Sequence, residues 1–192
     1  MPKYTNEQVD TWIELLACAR RRSRQDAAHG LAETARVEPD LVRPHIDELV
    51  DALYRPEAQT RWEVLDAMSE LLPDDVDKLA GALEGAETSL FDEASAIVRL
   101  AAFRFLSRVG SISPERSDEV WPLMDEAIQC FHGDAEYRDM LSCMLDFVRG
   151  NISDETRSAL EARIDFDANS GRGYIRTCSA DILAASKEAS GK

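Results

Sequence analysis

Apolar residues recur along this chain at intervals of three and four positions, and no stretch alternates cleanly between apolar and polar over six residues. The first spacing is typical of amphipathic helices, whereas a half-buried strand requires alternation. Thr5 and Gln8 form a predicted capping box at the start of the first helix. Glycines and prolines divide the remaining pattern at regular intervals. We predict about ten helices, at residues 5–20, 23–36, 39–54, 57–72, 74–86, 93–109, 114–132, 134–149, 154–168 and 173–188.

The predicted helices repeat in pairs. An arginine near the start of each second helix recurs after 37, 38, 39 and 38 residues, as Arg24, Arg61, Arg99, Arg138 and Arg176. The seventh position after each arginine is predicted to lie in the core and holds Leu31, Met68, Leu106, Leu145 and Leu183. Pro44 and Pro122, inside first helices, lie 78 residues apart, which is two repeat lengths. A period near 38 residues built from helix pairs predicts an α-solenoid, in which each pair buries its apolar face against its neighbours.

An arginine followed by Ala or Val at the third position and Leu at the seventh, with a proline in the preceding helix, resembles the HEAT repeat family. The resemblance covers essentially the whole chain. It implies an all-α fold, a right-handed α-α superhelix of about five antiparallel helix pairs, with residues 1–192 forming a single domain. An irregular helical bundle is the alternative. HEAT repeats usually carry an acidic residue about six positions before the arginine, and here only Glu93 fits that pattern. In such repeats the arginine braces the adjoining turn or helix, so we expect a structural role for it.

The family resemblance also implies that the second helices line a concave groove. At 100° per residue, the first, fifth and eighth positions after each arginine lie opposite the buried arc. Most of these positions are polar, but Trp62 and Leu100 are equivalent apolar exceptions in adjacent repeats. One turn further along come Asp66 and Arg104. We predict that Trp62 anchors an interface, because binding hot spots favour Trp and Arg. The alternative is that Trp62 folds onto its own repeat and is mostly buried.

Charge bears on the class of partner. The 192 residues include 22 Lys and Arg against 37 Asp and Glu, which gives a net charge of −15. The fourth repeat adds Asp139 and Asp146 to the predicted groove. A polyanion repels the nucleic-acid backbone and anionic lipid and attracts basic surfaces. We therefore expect a basic protein partner rather than nucleic acid or a membrane. Without a run long enough to span a bilayer or an apolar signal-peptide core, the predicted location is the cytoplasm.

Motifs that would indicate catalysis are absent from the sequence. There is no GxSxG, no P-loop and no clustered Cys/His spacing for a metal, so we expect neither a cofactor nor a metal. The leading hypothesis is a non-catalytic scaffold, adaptor or inhibitor that binds another protein in the groove. The candidate binding residues are Trp62, Asp66, Leu100, Arg104, Asp139 and Asp146.

A catalytic alternative comes from Trp62 and Asp66. Their spacing resembles HEAT-like DNA alkylation repair glycosylases, in which a Trp and an Asp lie one turn apart on a groove-lining helix. The resemblance implies that Asp66 would support loss of an alkylated base through a cationic transition state. Either Arg99 or Arg104 would supply that family's arginine. The chain departs from the family in its charge, because a duplex binder presents Lys and Arg to phosphates.

Overall fold

The structure, a computed structural model, describes residues 3–190, apart from the side chains of residues 73 and 190. Within this range all regular secondary structure is helical. The helices are α1 Asn6–Ala17, α2 Arg21–Val37, α3 Pro39–Val42, α4 Ile46–Ala52, α5 Ala58–Asp75, α6 Leu83–Leu90, α7 Ala96–Gly110, α8 Pro114–Cys130, α9 Tyr137–Val148, α10 Asp154–Ser170 and α11 Gly173–Ser190. Two 3₁₀ turns, Arg43–His45 and Lys78–Ala82, complete the order.

The helices follow the predicted pairs, and the all-α prediction is confirmed. Thr5 caps α1 with both halves of the predicted capping box in place. The predicted helix 39–54 is divided at Pro44, where a 3₁₀ turn joins α3 to α4. Proline causes this because it lacks an N–H and its ring crowds the preceding turn. The predicted helix 74–86 is also shifted, since α6 is preceded by a 3₁₀ turn and continues to Leu90.

The chain divides into two compact units, the first ending at Phe105 and the second beginning at Leu106. In the first unit, α2 packs along α5 and α1 packs along α2. Its core includes Leu31, Leu49, Met68 and the aromatic rings of Phe103 and Phe105, all completely buried.

The second unit has its own core, in which α11 packs against α9 and α10. Backbone amides of the loop before α10 also join its successive repeats through hydrogen bonds. The Asn151 amide donates to the Ser111 carbonyl oxygen over 2.8 Å, and the Ser153 amide donates to the Ser117 hydroxyl over 3.0 Å.

The predicted core register holds at most repeat positions but not at all of them. Leu31, Met68 and Leu106 are completely buried, as predicted for the seventh position. The prediction is wrong for Leu145 and Leu183, which are only half-buried. In those two helices the preceding residues, Met144 and Ile182, are completely buried and fill the core instead.

The repeated arginines have the predicted bracing role in the first unit. Arg24 donates from Nη1 to the Cys18 carbonyl oxygen over 2.8 Å and from Nε to Glu57 over 3.1 Å. Arg61 and Arg99 both reach Asp92, through its carboxylate at 2.7 Å and its carbonyl oxygen at 2.8 Å respectively. These contacts tie each second helix to a turn or to the next repeat.

In the second unit the repeated arginines are exposed instead. Arg138 lies over the Tyr174 ring, 5.8 Å from its centroid, and Arg176 is also exposed. A different arginine, the buried Arg157 on α10, donates to the Val148 carbonyl oxygen over 2.9 Å and so braces the end of α9.

Candidate functional site

The predicted site residues of the first unit lie on partly accessible sides of α5 and α7. We define the second-helix face as the exposed and half-buried side chains of α2, α5 and the part of α7 up to Phe105. Trp62 and Leu100 are both half-buried there. Trp62 is therefore neither a fully solvated side chain nor a core residue, which lies between the two predicted alternatives.

Asp66 connects all three helices of the second-helix face. Its Oδ1 accepts a hydrogen bond from Arg104 Nη1 at 2.9 Å, and its Oδ2 lies 3.5 Å from Arg36 Nη2. The Asp66 side chain is 21% exposed, and Arg36 also pairs with Glu33 within α2. A carboxylate between two guanidinium groups is electrostatically compensated. Asp66 therefore acts here as the centre of an ion-pair row across three repeats.

Two residues of this face were missed by the sequence analysis. Ile97 is an exposed apolar side chain, with 57% of its surface accessible, and Arg36 completes the Asp66 ion-pair row. Ile97 lies two positions before the repeat arginine of α7, and Arg36 lies twelve positions after the repeat arginine of α2. At 100° per residue these offsets correspond to about 160° and about 120°, close to the predicted groove direction of about 110°. Extending the count by one turn at each helix end would have found both.

The eighth repeat position was predicted to face the groove, and in the first three repeats that prediction is wrong. Ala32, Ser69 and Ser107 are all buried there. Their small side chains allow close packing, and the Ser69 hydroxyl is satisfied within its own helix by the Leu65 carbonyl oxygen at 2.8 Å.

The equivalent side of the second unit is formed by α9 and α11, and it carries exposed aspartates in addition to the exposed Arg138 and Arg176. Asp139 and Asp146 are both exposed on α9, as predicted. Asp146 has a loose ion pair with Arg149, at 3.9 Å. Asp181 is exposed on α11. Cys143, between the two aspartates of α9, is half-buried. This face therefore offers negative charge without an exposed aromatic side chain.

Neither a membrane-spanning segment nor a metal site is found in the part of the chain that the structure describes. None of its helices combines the length and apolar character needed to cross a bilayer. No group of three or more His, Cys, Asp or Glu side chains in residues 3–190 is arranged to hold a metal ion.

Comparison with known proteins places the fold. No family model matches the chain, and no curated protein matches it. Among solved structures, an engineered protein is similar at 21% identity with a TM-score of 0.72, over 92% of this chain and 80% of the other. A designed armadillo repeat protein in complex with the peptide (KR)4 is similar at 16% identity with a TM-score of 0.73, over 94% and 86%. Computationally designed armadillo repeat proteins for modular peptide recognition match at 17% identity with a TM-score of 0.70, over 94% and 86%.

The fold is an armadillo-like helical-repeat solenoid. The predicted resemblance to helical-repeat proteins is thereby confirmed. At these identities the likeness concerns the fold alone, because one solenoid scaffold hosts many unrelated functions.

Proposed function

We propose that this protein is a non-catalytic binding module, acting as a scaffold, adaptor or inhibitor, that holds a basic segment of another protein on its second helices. The observation that carries the proposal is the set of accessible apolar side chains on the second-helix face. Trp62 and Leu100 are half-buried and Ile97 is exposed. Apolar anchors bordered by charged side chains are the usual composition of an interface hot spot.

The charge of the protein supports a basic partner. The net charge is −15, and Asp139 and Asp146 are exposed on α9. A negative surface accelerates encounters with a positive one and discourages acidic partners. The four cysteines are widely spaced along the chain, which agrees with a reducing compartment such as the cytoplasm.

The similar designed structures support a peptide-like partner. One of them is described in complex with the peptide (KR)4, which consists only of basic residues. That statement concerns the designed protein, and we extend it to this chain because the fold is shared and the charge has the required sign.

The proposal can be tested with a fluorescein-labelled (KR)4 peptide and fluorescence anisotropy. Trp62→Ala should weaken binding by at least about 2 kcal/mol, or about thirtyfold, because a hot-spot tryptophan would be lost. Tyr54→Ala is the matched control, since Tyr54 is another accessible aromatic side chain, 59% exposed, in the turn after α4. Circular dichroism should show both variants folded. Equal binding by wild type and Trp62→Ala, or unfolding of Trp62→Ala, would contradict the proposal.

The electrostatic part of the proposal requires a separate measurement. Asp139→Lys combined with Asp146→Lys should slow association more than Glu126→Lys combined with Glu155→Lys, which makes the same change in net charge on first helices. The difference should shrink as salt is raised, because exposed charges are screened within about 10 Å at 0.1 M salt. Identical association rates for the two double variants would refute a role for the α9 aspartates.

The glycosylase alternative makes a different prediction. Asp66 lies between Arg36 and Arg104, and two adjacent cations reduce the stabilisation that a carboxylate can give to a cationic transition state. We therefore expect no release of alkylated purines from duplex DNA. Release that Asp66→Asn abolishes would establish the enzyme instead.

A further inference from the structure

Phe166 on α10 is the most exposed of the large apolar side chains in the described range, with 73% of its surface accessible. It follows Asp165 and precedes Asp167. It also borders a pocket of about 320 Å³ within the second unit, which is lined in addition by Ile128, Gln129, His132, Tyr137, Arg163 and Asp167. None of these residues belongs to the second-helix face. A single exposed aromatic ring is ordinary on a protein surface, and Phe166 is distinguished by the polar pocket that it borders.

One side of the pocket is formed by His132, Tyr137 and Asp167, which contact one another. His132 Nε2 lies 2.8 Å from Asp167 Oδ2, and the Asp167 side chain is only 14% exposed. The His132 and Tyr137 rings are 4.8 Å apart between centroids. Burial, together with the negative charge of Asp167, raises the pKa of Tyr137, so its hydroxyl remains protonated. Asp167 is thus a carboxylate held in place at a partly desolvated position.

The one arginine of the pocket is already paired. Arg163 Nε and Nη2 contact the two carboxylate oxygens of Asp125 at 2.5 and 2.9 Å. This bidentate pair joins α10 to α8 and compensates the Arg163 charge. Asp167 is thus the carboxylate that lines the pocket without an arginine partner among the contacts described above, and Asp165 adds a negative charge on the adjacent exposed surface.

We propose that this pocket binds an arginine side chain of a partner protein. A guanidinium group can stack on the exposed face of Phe166 and donate hydrogen bonds to the Asp167 carboxylate at the same time. The volume is at the lower end of the range for small-ligand pockets, about 300–1,000 Å³, which suits a single side chain. An apolar occupant would bury the Asp167 carboxylate without giving it a new hydrogen bond, which is costly. The site lies on α8, on α10 and on the turn that leads into Tyr137 at the start of α9, and it does not depend on the function proposed above.

The test is an NMR titration of the full-length ¹⁵N-labelled protein with the peptide Ac-Gly-Arg-Gly-NH₂. We expect saturable shifts of amides in residues 128–137 and 163–167. The same peptide with citrulline, which keeps the shape of arginine but has no charge, should bind at least about tenfold more weakly, because hydrogen bonds to charged groups are the stronger ones. A third peptide carries lysine in place of arginine. Equal binding of the citrulline peptide, tighter binding of the lysine peptide, or shifts confined to residues 138–148 and α11 would overturn the proposal.

Variants assign the binding to individual side chains. Phe166→Leu should weaken binding at least about threefold through loss of the cation–π contact, and it should not affect folding because the ring is exposed. Asp167→Asn should weaken binding at least about tenfold. Asp165→Asn is the matched control, since it removes the same charge from an exposed neighbour, and it should change binding less than about twofold. Unchanged binding by Phe166→Leu would refute the site even if Asp167→Asn proved unstable.

Discussion

Replacing Arg24 with methionine should destabilise the protein by about 3–5 kcal/mol, the range found when one partner of a buried ion pair is removed. The Arg24 and Glu57 side chains are 10% and 5% exposed. Arg24 donates two hydrogen bonds to the Glu57 carboxylate and a third, at 2.8 Å, to the Cys18 carbonyl oxygen. Methionine retains much of the apolar volume. The cost therefore comes mainly from leaving a buried carboxylate without its cation.

A double-mutant cycle separates this cost from simple loss of packing. Glu57→Leu in the Arg24→Met background should recover most of the lost stability, because replacing both members of a buried pair with apolar residues is often close to neutral. Arg36→Met is the matched control for the substitution itself. The Arg36 side chain is 43% exposed, and exposed ion pairs contribute only about 0–1 kcal/mol.

Urea unfolding followed by far-UV circular dichroism gives the free energies, and the slope against urea should be the same in all variants. A loss below about 1 kcal/mol for Arg24→Met would refute the reasoning, because the pair would then behave like an exposed one. The same conclusion would follow if the double variant were as unstable as the sum of the two single variants. In either case the repeated arginine would not brace the first two repeats.

Three further predictions concern pH, core burial and glycine packing. The hydrogen bond from Arg24 lowers the pKa of Glu57. The stabilisation of the folded state by this pair is therefore present at neutral pH and is lost as the pH falls through the folded-state pKa of Glu57. Below pH 4.5, wild-type stability should consequently fall more steeply than that of Glu57→Gln. Leu31→Ala should cost about 2–5 kcal/mol in urea unfolding and Leu183→Ala less than about 2, since only Leu31 is completely buried. Gly150→Ala should cost about 1–3 kcal/mol of stability in urea unfolding, because its new Cβ would lie 2.6 Å from the Ser111 backbone oxygen. Gly81→Ala should not destabilise the protein, because a Cβ there meets nothing within 4 Å. Equal losses of stability at the two glycines would contradict the packing argument.

The helix pairs and their period were predictable from the sequence because they depend on neighbouring residues. Apolar spacing, the capping box at Thr5 and the breaks between helices act within about one turn of the chain. Counting from the repeated arginine also led to Trp62, Leu100, Asp139 and Asp146, of which the first two are half-buried and the last two exposed. Their role in binding stays a prediction.

The partners of the side chains were decided only by the tertiary structure. A period of 100° per residue cannot indicate that Asp66 contacts both Arg36 and Arg104, which lie 30 and 38 residues away. The period also predicts equal burial at equivalent repeat positions, whereas Met68 is in the core and Leu183 is half-buried. Helix periodicity reflects a backbone geometry that is the same in every repeat. Burial and ion pairing depend on the size and charge of side chains contributed by neighbouring repeats, and these differ at every step along this chain.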